Sequence, residues 1–177
     1  MNPSTVERGQ HPECIPVQSS DISPNANLPL LIYRNVFPRD ADEIEHRLRA
    51  NGWEPQWRDP NGFYPFDHYH TEGHELLAVV SGSARARFGG PGGVSAQASA
   101  GDVIVLPAGT SHIAEFASKD LLIVGAYPPG QRPDIRKGKF AEDPEVLPNL
   151  EKLPLPATDP ISGEKGGTLG ALWSKSK

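Results

Sequence analysis

Cysteine is nearly absent from this chain of 177 residues. Cys14 is the only one, which excludes an internal disulfide and fits a reducing, cytoplasmic setting. It stands in a proline-rich lead segment and reads as an inert thiol rather than a nucleophile. Long hydrophobic runs are missing as well. The longest, ELLAVV (75–80) and LLIVGAY (121–127), have the length of a strand and cannot cross a bilayer, and the opening MNPSTVERGQHPEC lacks the apolar core of a signal peptide. No lysine or arginine stripe appears, and the formal net charge is -5, so neither nucleic acid nor an anionic membrane surface is an expected partner.

Proline and glycine are plentiful, and they divide the chain. Residues 1–26 are polar and interrupted by proline, which suggests a loose segment or one draped over the surface. NLPLLIYRNVF (27–37) reads as a strand. One helix follows: Asp40 is a candidate N-cap with Glu43 three residues on, Ile44 and Leu48 share a face, and Asn51-Gly52 ends it. His46 lies on that helix among charges and reads as a surface residue. From Trp57 to Tyr127, short apolar runs alternate with turns such as DPNG, TEGH, GGPGG, SAGD and PAGT, the pattern of an antiparallel sandwich or barrel. Gly89-Gly90-Pro91-Gly92-Gly93 has no GK[ST] or helix after it, so it is a hairpin turn and not a phosphate loop. Residues 128–177 are dense in proline but carry spaced apolar anchors (Ile135, Phe140, Leu147, Leu169, Trp173). They predict an extended arm packed on the barrel or on a partner subunit.

Two blocks carry the chemistry. In the first, NGFYPFDHYHTEGHELLAVVSG, the spacing is Gly62-x5-His68-x-His70-x4-Glu75-x6-Gly82. In the second, GDVIVLPAGTSH, it is Gly101-x5-Pro107-x-Gly109-x2-His112. On a strand, His68 and His70 point to the same face, and after the Thr71–His74 turn Glu75 opens the next strand opposite them. His112 follows the turn after DVIVLP and is the candidate fourth donor, whereas His11 and His46 have no partners. A lone histidine is more often a satisfied core or surface residue. Three imidazoles and a carboxylate in this arrangement instead suit one divalent transition metal, and nitrogen and oxygen donors without thiolate fit Fe, Mn, Ni, Cu or Zn.

These blocks resemble the paired motifs of the cupin superfamily, G-x5-H-x-H-x3,4-E-x6-G and G-x5-P-x-G-x2-H-x3-N. Every specified position is met except the last, where Phe116 replaces asparagine. PFDHYHTEGHE, GSARARFGG, YPPGQRPDI and LPLPATDPISG look like a branch of small single-domain bacterial and fungal cupins. The resemblance implies an all-β jelly-roll barrel over residues 27–127, with its motif core at 57–127. It also implies the ligand set His68, His70, Glu75 and His112, and a homodimer. His74 alternates with Glu75 and should point away from the ligand face, unless the turn swings it inward for a proton-handling or supporting role. Ala84, Ala86 and Phe88 suit the interior, which turns Arg85 and Arg87 outward. Tyr64, Phe66, Leu77, Val79, Leu106, Ile113 and Phe116 are candidates for an apolar cavity wall.

Four protein ligands leave one or two coordination positions open. The expected function is a metal-dependent enzyme acting on a small organic molecule, as an oxygenase or as a Lewis-acid isomerase or hydrolase. The alternative is a non-catalytic cupin that binds or senses a small ligand and whose metal is structural.

Overall fold

The computed structural model describes residues 11–25 and 27–174. The lead segment expected to be loose lies partly outside that range. Within it, β1 (Glu13–Ile15) pairs antiparallel with β2 (Leu30–Tyr33), and Val17, Ser23 and Asn25 are buried. The strand expected over 27–37 is short because Pro29 precedes it and Asn35 adopts a positive φ of 51° just after it. Asn and Asp are the non-glycine residues that tolerate this region best.

The helix falls where its signals place it, as α1 (Ala41–Ala50). The Asp40 carboxylate accepts the Glu43 N–H at 2.9 Å, and Ile44 and Leu48 are fully buried. The reciprocal half of a capping box is not made, because Glu43 pairs with Arg47 one turn on. β3 (Glu54–Asp59), β4 (Glu75–Ser81), β5 (Ser83–Phe88), β6 (Val94–Ser99), β7 (Val103–Leu106), β8 (His112–Ala117) and β9 (Leu122–Tyr127) follow.

They form two sheets, one of six strands in the order β1-β2-β7-β4-β9-β3 and one of three in the order β6-β5-β8. This is the all-β barrel expected. Side-chain alternation gives the larger sheet two buried faces. Leu30, Ile32, Leu77, Val79, Ile104, Leu106 and Ile123 face inward and meet Ala84, Ala86, Phe88, Ala96 and Ala98 of the smaller sheet. Leu31, Tyr33, Leu76, Ala78, Val103, Val105, Val124 and Ala126 face outward, under Ile44, Leu48, Trp53, Leu169 and Trp173. A sheet covered on both sides reads as continuous apolar runs, which accounts for LLIY, LLAVV and VIVL. The smaller sheet is covered on one side only: Arg85 and Gln97 are exposed while Ala84, Ala86, Ala96 and Ala98 are buried. Arg85 and Arg87 turn outward and pair with Glu115 and Asp67.

The second cover is the C-terminal arm, which packs on its own chain's barrel. Besides its extended stretches it contains a 3-10 turn (Phe140–Glu142) and two short helices, α2 (Val146–Lys152) and α3 (Gly167–Ser174). Proline density hid α2 from the sequence reading. Pro148 occupies its first turn, where no intrahelical N–H bond is required, and the first such bond is Asn149 N–H to the Glu145 carbonyl. Asp159 pins the arm from beneath. Its carboxylate accepts the Tyr33 hydroxyl at 3.2 Å and the N–H groups of Ile161, Ser162 and Leu169 at 2.9, 3.0 and 3.0 Å. The Trp173 indole donates to the Pro29 carbonyl at 3.0 Å. Among the described residues no helix is long and apolar enough to cross a membrane.

Candidate metal centre

His68 and His70 lie on a short extended segment held on both sides. His68 exchanges backbone hydrogen bonds with His112 at 2.9 and 3.3 Å, and Tyr69 exchanges them with Arg136 of the arm at 2.9 and 3.0 Å. That pairing turns both imidazoles to the barrel interior and buries Tyr69 on the opposite side. His112 opens β8, and Glu75 opens β4 with the same parity as Leu77 and Val79, so its carboxylate also points inward. The coordinating-type atoms of His68, His70 and His112 all lie within 4.8 Å of one another, and the Glu75 Oε2 stands 3.4 Å from His70 Nε2 and 3.3 Å from His112 Nε2.

The backbone chooses the tautomers. Nδ1 of His68, His70 and His112 faces the carbonyl of Phe66 (3.1 Å), Asp134 (2.5 Å) and Thr110 (3.0 Å) respectively. A carbonyl only accepts, so each Nδ1 carries hydrogen and each Nε2 keeps its lone pair for the centre. His70 Nε2 and Glu75 Oε2 are buried yet make no hydrogen bond. Such orphaned atoms are costly unless something binds them, and this donor set fits a divalent cation.

Electrostatics follow from the crowding. Burial, then the neighbouring His112 and His70 rings, push His68 down to about 3, so it stays neutral. Burial also opposes charge on Glu75, but His70 and His112 outweigh it and hold the carboxyl well below the usual range. Burial opposes protonation of His70, and the Glu75 carboxylate prevails and raises it.

Three contributors escaped the sequence reading. The Tyr127 hydroxyl donates to Glu75 Oε1 at 2.5 Å and accepts the Trp57 indole N–H at 3.0 Å, which leaves Oε2 for the histidines. Trp57 lies across Gly125 of the adjacent strand, where any Cβ would run into the indole. The inward parity Ile123, Gly125, Tyr127 was legible in LIVGAY, but the opposition to Glu75 was not. Asp134 is the third. Beyond its carbonyl on His70, its carboxylate accepts Thr71 N–H and Oγ1 at 2.6 Å each, Glu72 N–H at 2.8 Å and Arg136 Nε at 2.9 Å. Its only signal was its position in the arm segment YPPGQRPDI.

A cavity of about 830 Å³ opens above the donors, and His68, His70, Glu75 and His112 all line it. Of the seven expected wall residues, Tyr64 and Leu77 are on it. Val79 and Leu106 are packed between the sheets, below the cavity. Phe66 stacks behind Tyr64, and Ile113 points away because it alternates with the lining residues His112 and Ala114. Phe116, at the position where the motif has asparagine, is half exposed on the outside of β8. His74 does not reach the cavity. It has the parity of Leu76 and stands on the outer face, 5.0 Å from the Trp173 ring, with Nδ1 accepting the Ala108 N–H at 3.0 Å. Its own N–H is held by the Gln131 side chain at 2.9 Å.

This barrel, with a histidine cluster and carboxylate at the floor of one end, defines a class, and the comparisons agree: the chain belongs to the cupin family, whose pattern it matches over residues 56–135. Over most of its length it is similar to the uncharacterized protein YjlB of Bacillus subtilis (strain 168). The two are 34% identical over 149 residues, 84% of this chain and 88% of that protein. Among solved structures, an uncharacterized conserved protein with a double-stranded β-helix domain from Klebsiella pneumoniae is 17% identical. It aligns with 78% of this chain and 85% of its own, at a TM-score of 0.35. The vicilin of Solanum melongena is 21% identical with a TM-score of 0.37, over 56% of this chain; the chain spans only about a third (34%) of that protein.

Proposed function

We propose that this protein is a metal-dependent enzyme acting on a small organic molecule, with the ion held by His68, His70, Glu75 and His112. The observation that carries the reading is the convergence of three tautomer-fixed Nε2 atoms and one carboxylate oxygen at the floor of a cavity wide enough for a substrate. A divalent ion there keeps a formal charge of about +1 and supplies a centre that binds an anionic oxygen, polarises a carbonyl or, if iron, activates dioxygen. The chain's own residues do the rest. Tyr127 restricts Glu75 to one free oxygen, the Phe66, Asp134 and Thr110 carbonyls hold the rings in register, and Phe63 and Leu77 keep water from the inner wall. Oxygenation and Lewis-acid isomerisation or hydrolysis are the reaction classes such a floor serves.

Metal analysis of untagged protein tests the ligand set. His70→Ala and His112→Ala should each abolish tight metal binding while circular dichroism still reports a folded barrel. Unfolding of both variants would instead assign the metal a structural role. Oxygen uptake or turnover on a panel of small acids, ketones and diols supports catalysis. A metal-loaded protein that binds such compounds without converting any of them would favour a ligand-sensing cupin. A homodimer in the cytoplasm belongs to the same reading, and sedimentation equilibrium tests the dimer.

A further inference from the structure

We propose that the cavity selects a two-ended ligand: an oxygen-bearing head that binds at the histidine floor, joined to an apolar, ring-sized body that lies against Tyr64 and Ile135. The proposal rests on the metal-binding reading above and adds the substrate class to it.

The wall carries the argument. Beside the donors the lining includes an apolar set, Phe63, Tyr64, Leu77, Ala114, Pro133 and Ile135. Four large hydrophobic side chains are exposed among the described residues, and two of them, Tyr64 (44%) and Ile135 (47%), line this one cavity. They come from opposite segments, the loop before His68 and the C-terminal arm. Exposed apolar groups brought together in a concave site are what an apolar ligand would cover. Besides Glu75 on the floor, three charged groups line the cavity: Arg58 pairs with Asp42 and Glu45 at 2.5 and 2.6 Å, Asp59 accepts the Asn61 N–H at 2.6 Å, and Lys119 is exposed to solvent.

Tyr64 is also held in place. Phe66 stacks on it with centroids 5.0 Å apart and planes 13° apart, and Lys137 Nζ sits 3.8 Å over the Phe66 ring. The Tyr64 ring meets His68 edge-on at 5.0 Å, so the aromatic wall begins where the donor floor ends. A ligand bound beside His68 therefore places its next ring-length against Tyr64. The volume agrees: about 830 Å³ is far larger than a two-carbon acid fills, since a water takes roughly 30 Å³. Aromatic side chains favour ring-shaped partners through offset or edge contacts.

The test uses the cobalt(II)-loaded full-length protein and two chelators with the same head, acetohydroxamate and benzohydroxamate, titrated by the cobalt absorption bands. Free cobalt(II) serves as the control for intrinsic preference. Benzohydroxamate should bind at least about tenfold tighter than acetohydroxamate, from the added buried apolar area. Tyr64→Ala should cut that ratio to within about threefold, leave the acetohydroxamate Kd nearly unchanged and keep the melting temperature close to wild type. Ile135→Ala should cut it partly, and Tyr64→Phe should restore it. Equal affinities for the two chelators, or a preference that survives both alanine variants, would overturn the substrate class while leaving the metal reading intact. Failure of cobalt(II) to bind would sink both, whereas bound cobalt(II) whose spectrum neither chelator alters would overturn the substrate class alone.

Discussion

Replacing His74 with asparagine should make the protein less sensitive to acid, and the size of the effect follows from where the ring sits. His74 is buried on the outer face of the large sheet, with Nδ1 on the Ala108 N–H and the Trp173 ring beside it. Burial, only partly offset by the Pro154 carbonyl, pushes it from 6.5 down to about 4. The unfolded chain therefore binds a proton between those values that the folded chain refuses, and stability falls as pH drops through that window. Integrated from pH 7 to pH 4.5, the loss is about 2.5 kcal/mol, or about 5–10 °C in melting temperature for a chain of this size. Asparagine can present its side-chain oxygen to the Ala108 N–H but carries no titrating group. It leaves a gap beside Trp173, so His74→Asn should start less stable than wild type at pH 7, and the difference should close on acidification. Urea denaturation of the metal-free protein at pH 7, 6, 5 and 4.5 reads this directly. Glu75 and His68 also resist acid in the native state, but they are present in both proteins and cancel in the difference. A stability gap that stays constant from pH 7 to pH 4.5 would refute the assignment of His74 as a neutral buried ring.

Other residues give sharper readings of the site. Asp134→Asn should weaken metal affinity about 10–100-fold by loosening the turn and carbonyl that aim His70. Asp159→Asn, which frees the same arm away from the site, should lower stability but leave the metal Kd within about twofold; equal Kd losses in both would show that only arm docking matters. Tyr127→Phe should cost about 2 kcal/mol, measured as chemical denaturation of the apo protein, because it strips the buried Glu75 carboxylate of its donor and the Trp57 indole of its acceptor. Trp173→Ala should cost about 3–5 kcal/mol, since a fully buried indole packed between α3 and the outer sheet face is lost together with its bond to the Pro29 carbonyl. A smaller loss than about 1 kcal/mol would mean the arm contributes little to the barrel's stability.

Much of this protein follows from local rules. The Asp40 cap, the Ile44–Leu48 face, the turns between strands, and the outward Arg85 and Arg87 all depend on contacts within a few residues. So do the shared face of His68 and His70 and the opposite directions of His74 and Glu75, because strand alternation needs no partner. Spacing therefore put His68 and His70 on one face with Glu75 beyond the turn, while the inclusion of His112 was implied by the family resemblance. What spacing cannot state is which segments face one another. Asp134 reaches His70 from 64 positions away and Tyr127 reaches Glu75 from 52, and both meetings depend on sheet register and on the course of a proline-rich arm. The same limit separates Tyr64 and Leu77, which line the cavity, from Val79 and Leu106, which share their apolar character but lie deeper between the sheets. The histidine blocks were written in the sequence; the tautomers, the free carboxylate oxygen and the apolar wall above them exist only once the two sheets and the arm have closed around them.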